Sequence, residues 1–227
     1  MRRSQEAELM DAEDISEADL AQTYREIRKV HRWVGNTGAV FHRLRKESKR
    51  IEAGGRRPRV LDIGCGQGAL LVEIHEKLGL EVVGVDLKPA PPDAPVQIYC
   101  GDAVADPLPE AEIAICLATA HHLSEEQLEE MIRNVARSCR RLILLDMVRH
   151  PVPHMLFRLF VAPFLKHINA VDGAISIRRS FTAAEMRAIV DRALDGKTAS
   201  QVKSVKHTVS PLWIRQVVDI DWQARTT

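Results

Sequence analysis

The turn at residues 61–68 limits the fold of this chain more than any other feature. Its sequence, LDIGCGQG, follows a short apolar run and precedes a helical pattern of leucine and isoleucine. We therefore predict a strand, a tight turn and a helix in direct succession. Glycines allow the backbone to approach a ligand closely, and the start of a helix offers free N–H groups. The segment is thus expected to bind a small molecule.

The spacing of the glycines argues against one common class of ligand. Gly64, Gly66 and Gly68 form GxGxG, and Asp62 lies two residues upstream. Nicotinamide-binding dehydrogenases instead show GxGxxG. The chain also lacks a Tyr-x-x-x-Lys pair. A nicotinamide-dependent oxidoreductase is therefore kept as an alternative that both observations disfavour.

Beyond residue 59, short apolar runs alternate with helical patterns. This alternation predicts a parallel sheet with helices on both faces. Two later apolar runs have no helix between them, which predicts an antiparallel C-terminal hairpin at one edge of the sheet. The expected α/β fold has a central, mostly parallel seven-stranded sheet, with strands near residues 60–63, 81–86, 96–99, 113–117, 142–145, 202–209 and 213–218.

The chain divides into three regions. Residues 1–15 are acidic and show no periodicity, which predicts a flexible tail. Residues 16–55 carry two helical patterns and form an N-terminal helical segment. Residues 56–227 form the α/β domain, with an insertion at about residues 147–181 that is rich in Met, Leu and Phe. Three hypotheses fit this insertion: a lid over an apolar substrate, a helix lying on lipid, or a helix packed on the core.

Composition and charge exclude several functions. Lys plus Arg total 32 against 31 for Asp plus Glu, so the basic excess of a nucleic-acid binder is missing. The four cysteines form no CxxC pair and no Cys/His cluster with zinc-ligand spacing, so no metal site is predicted. Cys100 and Cys116 are expected to be small, buried hydrophobes. Without a signal-peptide pattern or an apolar stretch of ~18 residues, we predict a cytoplasmic chain with no transmembrane segment.

Four segments, in order, resemble the class I S-adenosylmethionine-dependent methyltransferases. They are the GxGxG turn, Asp86 at the end of the second strand, residues 101–103 (GDA) and residues 117–122 (LATAHH). The resemblance implies a Rossmann-like class I methyltransferase fold with S-adenosyl-L-methionine as cofactor. It implies that Asp86 binds both ribose hydroxyls and that Asp102 and the next N–H bind adenine. The implied cofactor-binding residues are Asp62, Gly64, Cys65, Gly66, Gly68, Asp86, Leu87, Asp102, Ala103 and Leu117.

Flanking segments resemble one bacterial branch, the ubiquinone/menaquinone-type methyltransferases that are often encoded beside type III polyketide synthases. They are residues 26–35 (EIRKVHRWVG), 121–127 (HHLSEEQ), 144–160 (LLDMVRHPVPHMLFRLF) and 171–186 (VDGAISIRRSFTAAEM). Val171 and the pair Asn36-Thr37 depart from the pattern of that branch. The resemblance implies O-methylation of a small hydrophobic hydroxylated metabolite that is phenol- or pyrone-like. We expect a monomer or homodimer, no nucleic-acid partner and, as one option, peripheral contact with lipid.

His121 and His122 are the candidate catalytic residues. They follow the fourth strand, at the sheet edge where open α/β sheets bind ligands. An imidazole with a pKa near ~6.5 can accept a phenol or enol proton near neutral pH. The alternative is that both histidines only orient the next turn, with Ser124 capping the following helix. For the chain as a whole, a cofactor-binding partner without catalysis is a further alternative.

Overall fold

One seven-stranded sheet forms the centre of the computed structural model, which describes residues 1–12, 15–55, 57–195 and 202–223. The strands have the order β3-β2-β1-β4-β5-β7-β6. Strands β1 to β5 pair in parallel with their neighbours, whereas β7 is antiparallel to both β5 and β6. The predicted fold class is confirmed. The strands are β1 (Arg59–Ile63), β2 (Glu81–Asp86), β3 (Ile98–Cys100), β4 (Ala111–Leu117), β5 (Cys139–Met147), β6 (Val202–Val209) and β7 (Arg215–Trp222).

Seven helices accompany the sheet in the described part of the chain. They are α1 (Glu17–Trp33), α2 (Asn36–Glu52), α3 (Ala69–Leu78), α4 (Glu125–Ser138), α5 (Pro151–Phe160), α6 (His167–Arg179) and α7 (Ala183–Ala193). Short helical turns lie at Leu9–Asp11, Ala120–His122, Ala162–Phe164 and Pro211–Trp213. Among the described residues, none of the helices combines the length and the apolar character that crossing a membrane requires.

The sheet carries an apolar core on each face. Side chains alternate along a strand, so Leu142 and Leu144 of β5 join the core beneath α4 and α7. Ile143 and Leu145 join the opposite core beneath α2 and α3. Because both faces are covered, the central strands are apolar at nearly every position.

Helix boundaries follow the capping residues of the sequence. The Ser16 hydroxyl accepts a hydrogen bond from a backbone N–H at the start of α1. Ser124 and Thr182 form complete capping boxes at α4 and α7, as the sequence predicts. Gly79 ends α3 in the left-handed conformation. These ends position the loops at the carboxyl edge of the sheet.

The structure corrects the prediction for one cysteine. Cys116 on the central strand β4 is fully buried, as expected. Cys100 was expected to be buried too, and that prediction is wrong, because its strand β3 is the edge strand and leaves Cys100 exposed.

Residues 1–12, which we name the N-terminal strap, lie against α6 and the turn after β4. Ser4 N–H donates to the Arg178 carbonyl (3.0 Å), and Arg3 Nη2 donates to the Leu123 carbonyl (2.6 Å). The Asp172 carboxylate accepts from the backbone N–H groups of residues 9 and 10. Acceptors of the domain thus bind donors of the strap, and the flexible tail expected for residues 1–15 stays a prediction. Residues 13 and 14 of that tail lie outside the described residues.

Candidate active site

The glycine-rich turn brings bare backbone to the carboxyl edge of the sheet. Gly64, Gly66 and Gly68 have positive φ angles of 70°, 54° and 76°, a region that favours glycine. A Cβ on Gly64 would lie 2.4 Å from Cγ2 of Thr119. A Cβ on Gly66 would lie 3.0 Å from the ring of Tyr24. Backbone conformation and space therefore both exclude a side chain at these two positions.

Asp86 holds the turn from the end of β2. Its Oδ2 accepts a hydrogen bond from Gly66 N–H (2.7 Å), and its Oδ1 accepts one from Lys88 N–H (2.9 Å). Each carboxylate oxygen keeps a further acceptor position. Asp86 can therefore stabilise the protein loop and accept hydrogen bonds from a ligand at the same time.

The loop after β3 is fixed by its own carboxylates. Asp102 Oδ1 accepts from Val104 N–H (2.8 Å), and Asp102 N–H donates to Asp106 Oδ2 (2.8 Å). Two acids thus bind backbone donors within one short loop. The bonds hold Asp102 and Ala103 at the edge of the same cavity that the glycine turn borders.

One cavity of about 1090 Å³ runs from the glycine turn to the insertion between β5 and α7. Every residue predicted to bind the cofactor lines it except Gly68, and His121 and His122 line it as well. Gly68 instead precedes α3 and faces Val96 and Ile98. Cavities for one drug-sized ligand measure roughly 300–1000 Å³, so this volume suits a cofactor together with a second small molecule.

Cys65, Leu87 and Leu117 shape the cavity without charge. The Cys65 sulfur approaches Gly84 of β2, where a Cβ would lie 2.4 Å from Sγ. Burial raises the pKa of the Cys65 thiol above its usual value, which argues against a nucleophilic role. Leu87 is exposed at the rim and Leu117 is half-buried. All three therefore act through packing, either against neighbouring side chains or against a ligand in the cavity.

Asp62 brings a buried carboxyl to the cavity from β1. No described residue donates a hydrogen bond to its side chain; burial and then the charge of Asp86 raise its pKa to about 8. The carboxyl is therefore mostly protonated at pH 7. A cation bound beside it would favour the ionised form.

His121 is held in a buried cluster of charges. Its ring Nδ1 lies 3.0 Å from Oδ1 of Asp146, and its backbone N–H donates to Asp146 Oδ2 (2.8 Å). Its ring Nε2 lies 3.5 Å from Glu8 Oε1. Burial opposes protonation, but the charge and hydrogen bonds of Asp146 and Glu8 raise the pKa of His121 above its usual value. Asp146 and Glu8 therefore favour the protonated form of His121, which argues against His121 as the base near neutral pH.

His122 lies beside this cluster, but its imidazole is neutral at pH 7. Its Nε2 is 3.8 Å from Glu8 Oε2, and its side chain is 33% exposed. Burial and then the charge of His121 lower the pKa of His122 below its usual value. His122 is therefore neutral at pH 7 and can accept a proton from a molecule in the cavity.

Glu8 links the strap to both histidines. Burial alone would raise its pKa, but the hydrogen bond from His121 and the charge of His121 lower it. Ser176 Oγ donates to its Oε1 (2.7 Å). Glu8, His121 and His122 offer ligand-type atoms within 4.8 Å of one another. The pKa directions of Glu8 and His121 are those of an ionised pair in direct contact. That the chain has no metal site stays a prediction.

The far end of the cavity is apolar. Phe157 of α5 packs its ring on Gly173 of α6, where a Cβ would lie 2.3 Å from the ring. Gly173 is therefore the reason that α5 and α6 can place this ring beside the cavity. The other apolar lining residues contributed by the insertion include Pro153, Leu156, Phe160, Val161 and Leu165.

Comparison with known proteins identifies the domain. A family model described as a methyltransferase domain matches residues 60–141, which hold the glycine turn and strands β1 to β4. This part of the chain is similar to a methyltransferase domain. No curated protein matches the sequence. The match over residues 60–141 and the sheet order agree with the Rossmann-like fold of class I methyltransferases.

Solved structures show the same fold. The plantazolicin methyltransferase BpumL in complex with SAH has a TM-score of 0.65 and 13% identity, covering 92% of each chain. The plantazolicin methyltransferase BamL with a triazolic desmethylPZN analog and SAH has a TM-score of 0.66 and 13% identity, covering 91% of each chain. The methyltransferase domain of bacterial CtHen1-CN has a TM-score of 0.59 and 15% identity, covering 82% of this chain and 97% of that one.

Four side chains of the candidate site were missed in the sequence analysis. Asp146 ends an apolar strand at the same sheet edge as Asp86, which is a usable signal. Burial and then Asp86 raise the pKa of Tyr24 to about 12, and its ring covers the glycine turn. His31 of α1 is half-buried, and its desolvation lowers its pKa to about 4. For Glu8, no local pattern reveals that its partners lie after β4.

Proposed function

We propose that this methyltransferase transfers a methyl group to the oxygen of a small, apolar, hydroxylated ring, such as an alkylated phenol or pyrone. One observation carries the proposal. The cavity joins the glycine turn to an apolar chamber, and the neutral histidine His122 lines it as well. The flanking segments that resemble the quinone-type branch beside polyketide synthases support the same class of acceptor.

The residues around the glycine turn suit S-adenosylmethionine. Bare backbone at Gly64 and Gly66 leaves room for the methionine end, and the carboxylate of Asp86 suits a pair of ribose hydroxyls. Asp102 and Ala103 are proposed to bind the adenine. When bound, the cofactor supplies an electrophilic methyl group on a sulfonium. Asp62 offers that cationic ligand a carboxyl that can ionise.

Around the methyl acceptor, the chain supplies a group that takes up a proton and apolar side chains that exclude water. The imidazole of His122 takes the hydroxyl proton of the acceptor, and the carboxylate of Glu8 stabilises the resulting cation. The charge of His121 keeps His122 neutral before this step. Phe157 and its apolar neighbours exclude water from the reacting oxygen.

Cofactor binding is expected to release a proton from Asp62. The ammonium and sulfonium groups of S-adenosylmethionine are cations, and a nearby cation lowers the pKa of a carboxyl. Since the pKa of Asp62 is about 8 in the free protein, most of one proton should leave at pH 7. Calorimetry in two buffers of different ionisation enthalpy measures this number.

Two variants make this measurement specific. Asp62→Asn should bind without proton release, whereas Asp93→Asn, at an exposed acid in the β2–β3 connection, should release as much as the wild type. Equal binding heats in both buffers for the wild type would contradict the assignment of Asp62.

The length of an alkyl tail on the acceptor is expected to control kcat/KM. Each methylene buried in the apolar chamber contributes roughly 0.8 kcal/mol, or about fourfold, until the chamber is full. A series of phenols with increasing tails measures this directly. A flat series, or a preference for a polar amine or a nucleic acid, would exclude the apolar acceptor and leave only the general methyltransferase.

Gly173→Ala should shorten the preferred tail. The added Cβ would meet the Phe157 ring at 2.3 Å, so the ring must move, and we expect it to occupy part of the chamber. Gly38→Ala is the matched control, because a Cβ at that helical glycine meets nothing within 4 Å. An unchanged length preference in Gly173→Ala would show that the tail lies elsewhere.

A further inference from the structure

A group of large apolar side chains is exposed beside the insertion. Six residues between 45% and 74% exposed form what we name the apolar patch. Helix α5 contacts both the turn that follows it and the β6–β7 connection, so the six belong to adjoining elements. Monomeric proteins rarely expose large continuous apolar surfaces unless they bind something. The apolar patch consists of Met155, Leu159, Phe160, Phe164, Leu212 and Trp213.

The backbone holds part of this patch in an uncommon conformation. Leu212 and Trp213 have positive φ angles of 59° and 52°, which non-glycine residues rarely adopt. The Trp213 ring stacks on His150, the residue that caps α5, with ring centroids 4.3 Å apart. The two exposed side chains are therefore fixed in place against α5.

The exposed charges within the two segments that carry the patch have one sign, and the carboxylate of Glu26, which accepts from Lys166 N–H (3.1 Å), is buried. Residues 147–171 and 202–218 contain no Asp or Glu. Arg158 and Lys166 are exposed within the first of these segments, next to the apolar residues of α5 and the turn after it. An apolar surface whose exposed charges in these segments are basic complements an anionic lipid surface. A two-fold contact between two copies would instead bring the same basic groups toward each other.

The apolar patch also borders the cavity. Phe160 belongs to the patch and lines the cavity, and Ile214, which follows Trp213, lines it as well. The inner face of α5 contributes Leu156 and Phe157 to the same cavity. The chamber for the acceptor therefore reaches the surface at the patch.

We propose that the apolar patch docks this methyltransferase on anionic lipid surfaces, from which an apolar acceptor passes into the cavity. The six apolar side chains lie among the acyl chains near the interface, and Arg158 and Lys166 contact the lipid phosphates. The acceptor route rests on the proposed function, whereas the docking does not depend on it.

Vesicle binding tests the docking without any substrate. The full chain should sediment with vesicles of phosphatidylcholine containing about 30% phosphatidylglycerol, and less with phosphatidylcholine alone or at high salt. The double variant Leu159→Ser/Phe164→Ser should lose about tenfold or more in affinity for the anionic vesicles. Neither residue lines the cavity, so binding of S-adenosylhomocysteine should be unchanged and shows that the variant is folded.

Matched variants separate the lipid proposal from its rivals. Arg158→Gln should remove part of the preference for anionic vesicles, whereas Tyr99→Ser, at an exposed aromatic on the edge strand β3, should bind like the wild type. Equal vesicle binding by the double variant and the wild type would overturn the proposal. So would a dimer, seen by light scattering, that the double variant loses while vesicles bind neither protein. Vesicle binding with no activity on apolar phenols would leave the docking intact and remove the proposed acceptor.

Discussion

Replacing His122 with alanine is expected to lower kcat about 100-fold while the affinity for S-adenosylhomocysteine stays the same. General-base catalysis by a positioned side chain contributes roughly 10²–10⁴-fold, and the neutral imidazole of His122 lines the cavity. Steady-state kinetics with a phenolic acceptor and calorimetry with S-adenosylhomocysteine measure the two quantities.

The pH dependence of the reaction adds a second readout. The pKa of His122 lies below its usual value, so the active neutral form is lost only as the pH falls through that lowered pKa. The acid limb of the wild-type profile should disappear in His122→Ala and persist in His42→Ala, at an exposed histidine of α2. If His122→Ala keeps more than about half of the activity, positioning alone explains the rate.

Replacing His121 with alanine is not an equivalent test of general-base catalysis. Removing its imidazole leaves the carboxylates of Asp146 and Glu8 buried without their cation, and breaking a buried ion pair in this way strongly destabilises a protein. The sequence presents His121 and His122 as an equal pair. The positions of Asp146 on β5 and Glu8 in the strap, both distant along the chain, assign them different protonation.

Local sequence signals predicted most of the fold. Apolar runs of strand length, the glycine turn at residues 61–68 and the capping boxes at Ser124 and Thr182 each depend on neighbouring residues. The edge position of β3 depends on the strand order instead, which is why the burial of Cys100 was not predicted correctly. Strand order is a long-range property that periodicity does not contain.

The site was predictable where the family pattern lies on the sheet and not where other elements cover it. Asp62 lies near the end of β1, Asp86 ends β2 and Asp102 follows β3, so topology brings them to one cavity. Tyr24 and Glu8 reach that cavity from the N-terminal region. In the sequence, Tyr24 resembles one more apolar helix position and Glu8 resembles a solvated acid, because their partners are distant along the chain.

Asp86→Ala is expected to weaken the binding of S-adenosylhomocysteine at least about tenfold. Charge-assisted hydrogen bonds are each worth roughly 1.5–3 kcal/mol, and a carboxylate at this position can accept two from a ribose. The variant also loses the acceptor for Gly66 N–H (2.7 Å), which fixes the glycine turn. Calorimetry compares it with Asp93→Ala, which removes one exposed acid of equal charge. Unchanged affinity in folded Asp86→Ala would exclude Asp86 as the ribose ligand.

The same variant should change the protonation of a second residue. The charge of Asp86 contributes to the raised pKa of Asp62, so Asp86→Ala should lower that pKa and leave less Asp62 protonated at pH 7. Binding of S-adenosylmethionine would then release fewer protons than in the wild type. Weak binding together with reduced proton release indicates a folded site that has lost one carboxylate. Weak binding with unchanged proton release would contradict the electrostatic coupling between Asp62 and Asp86.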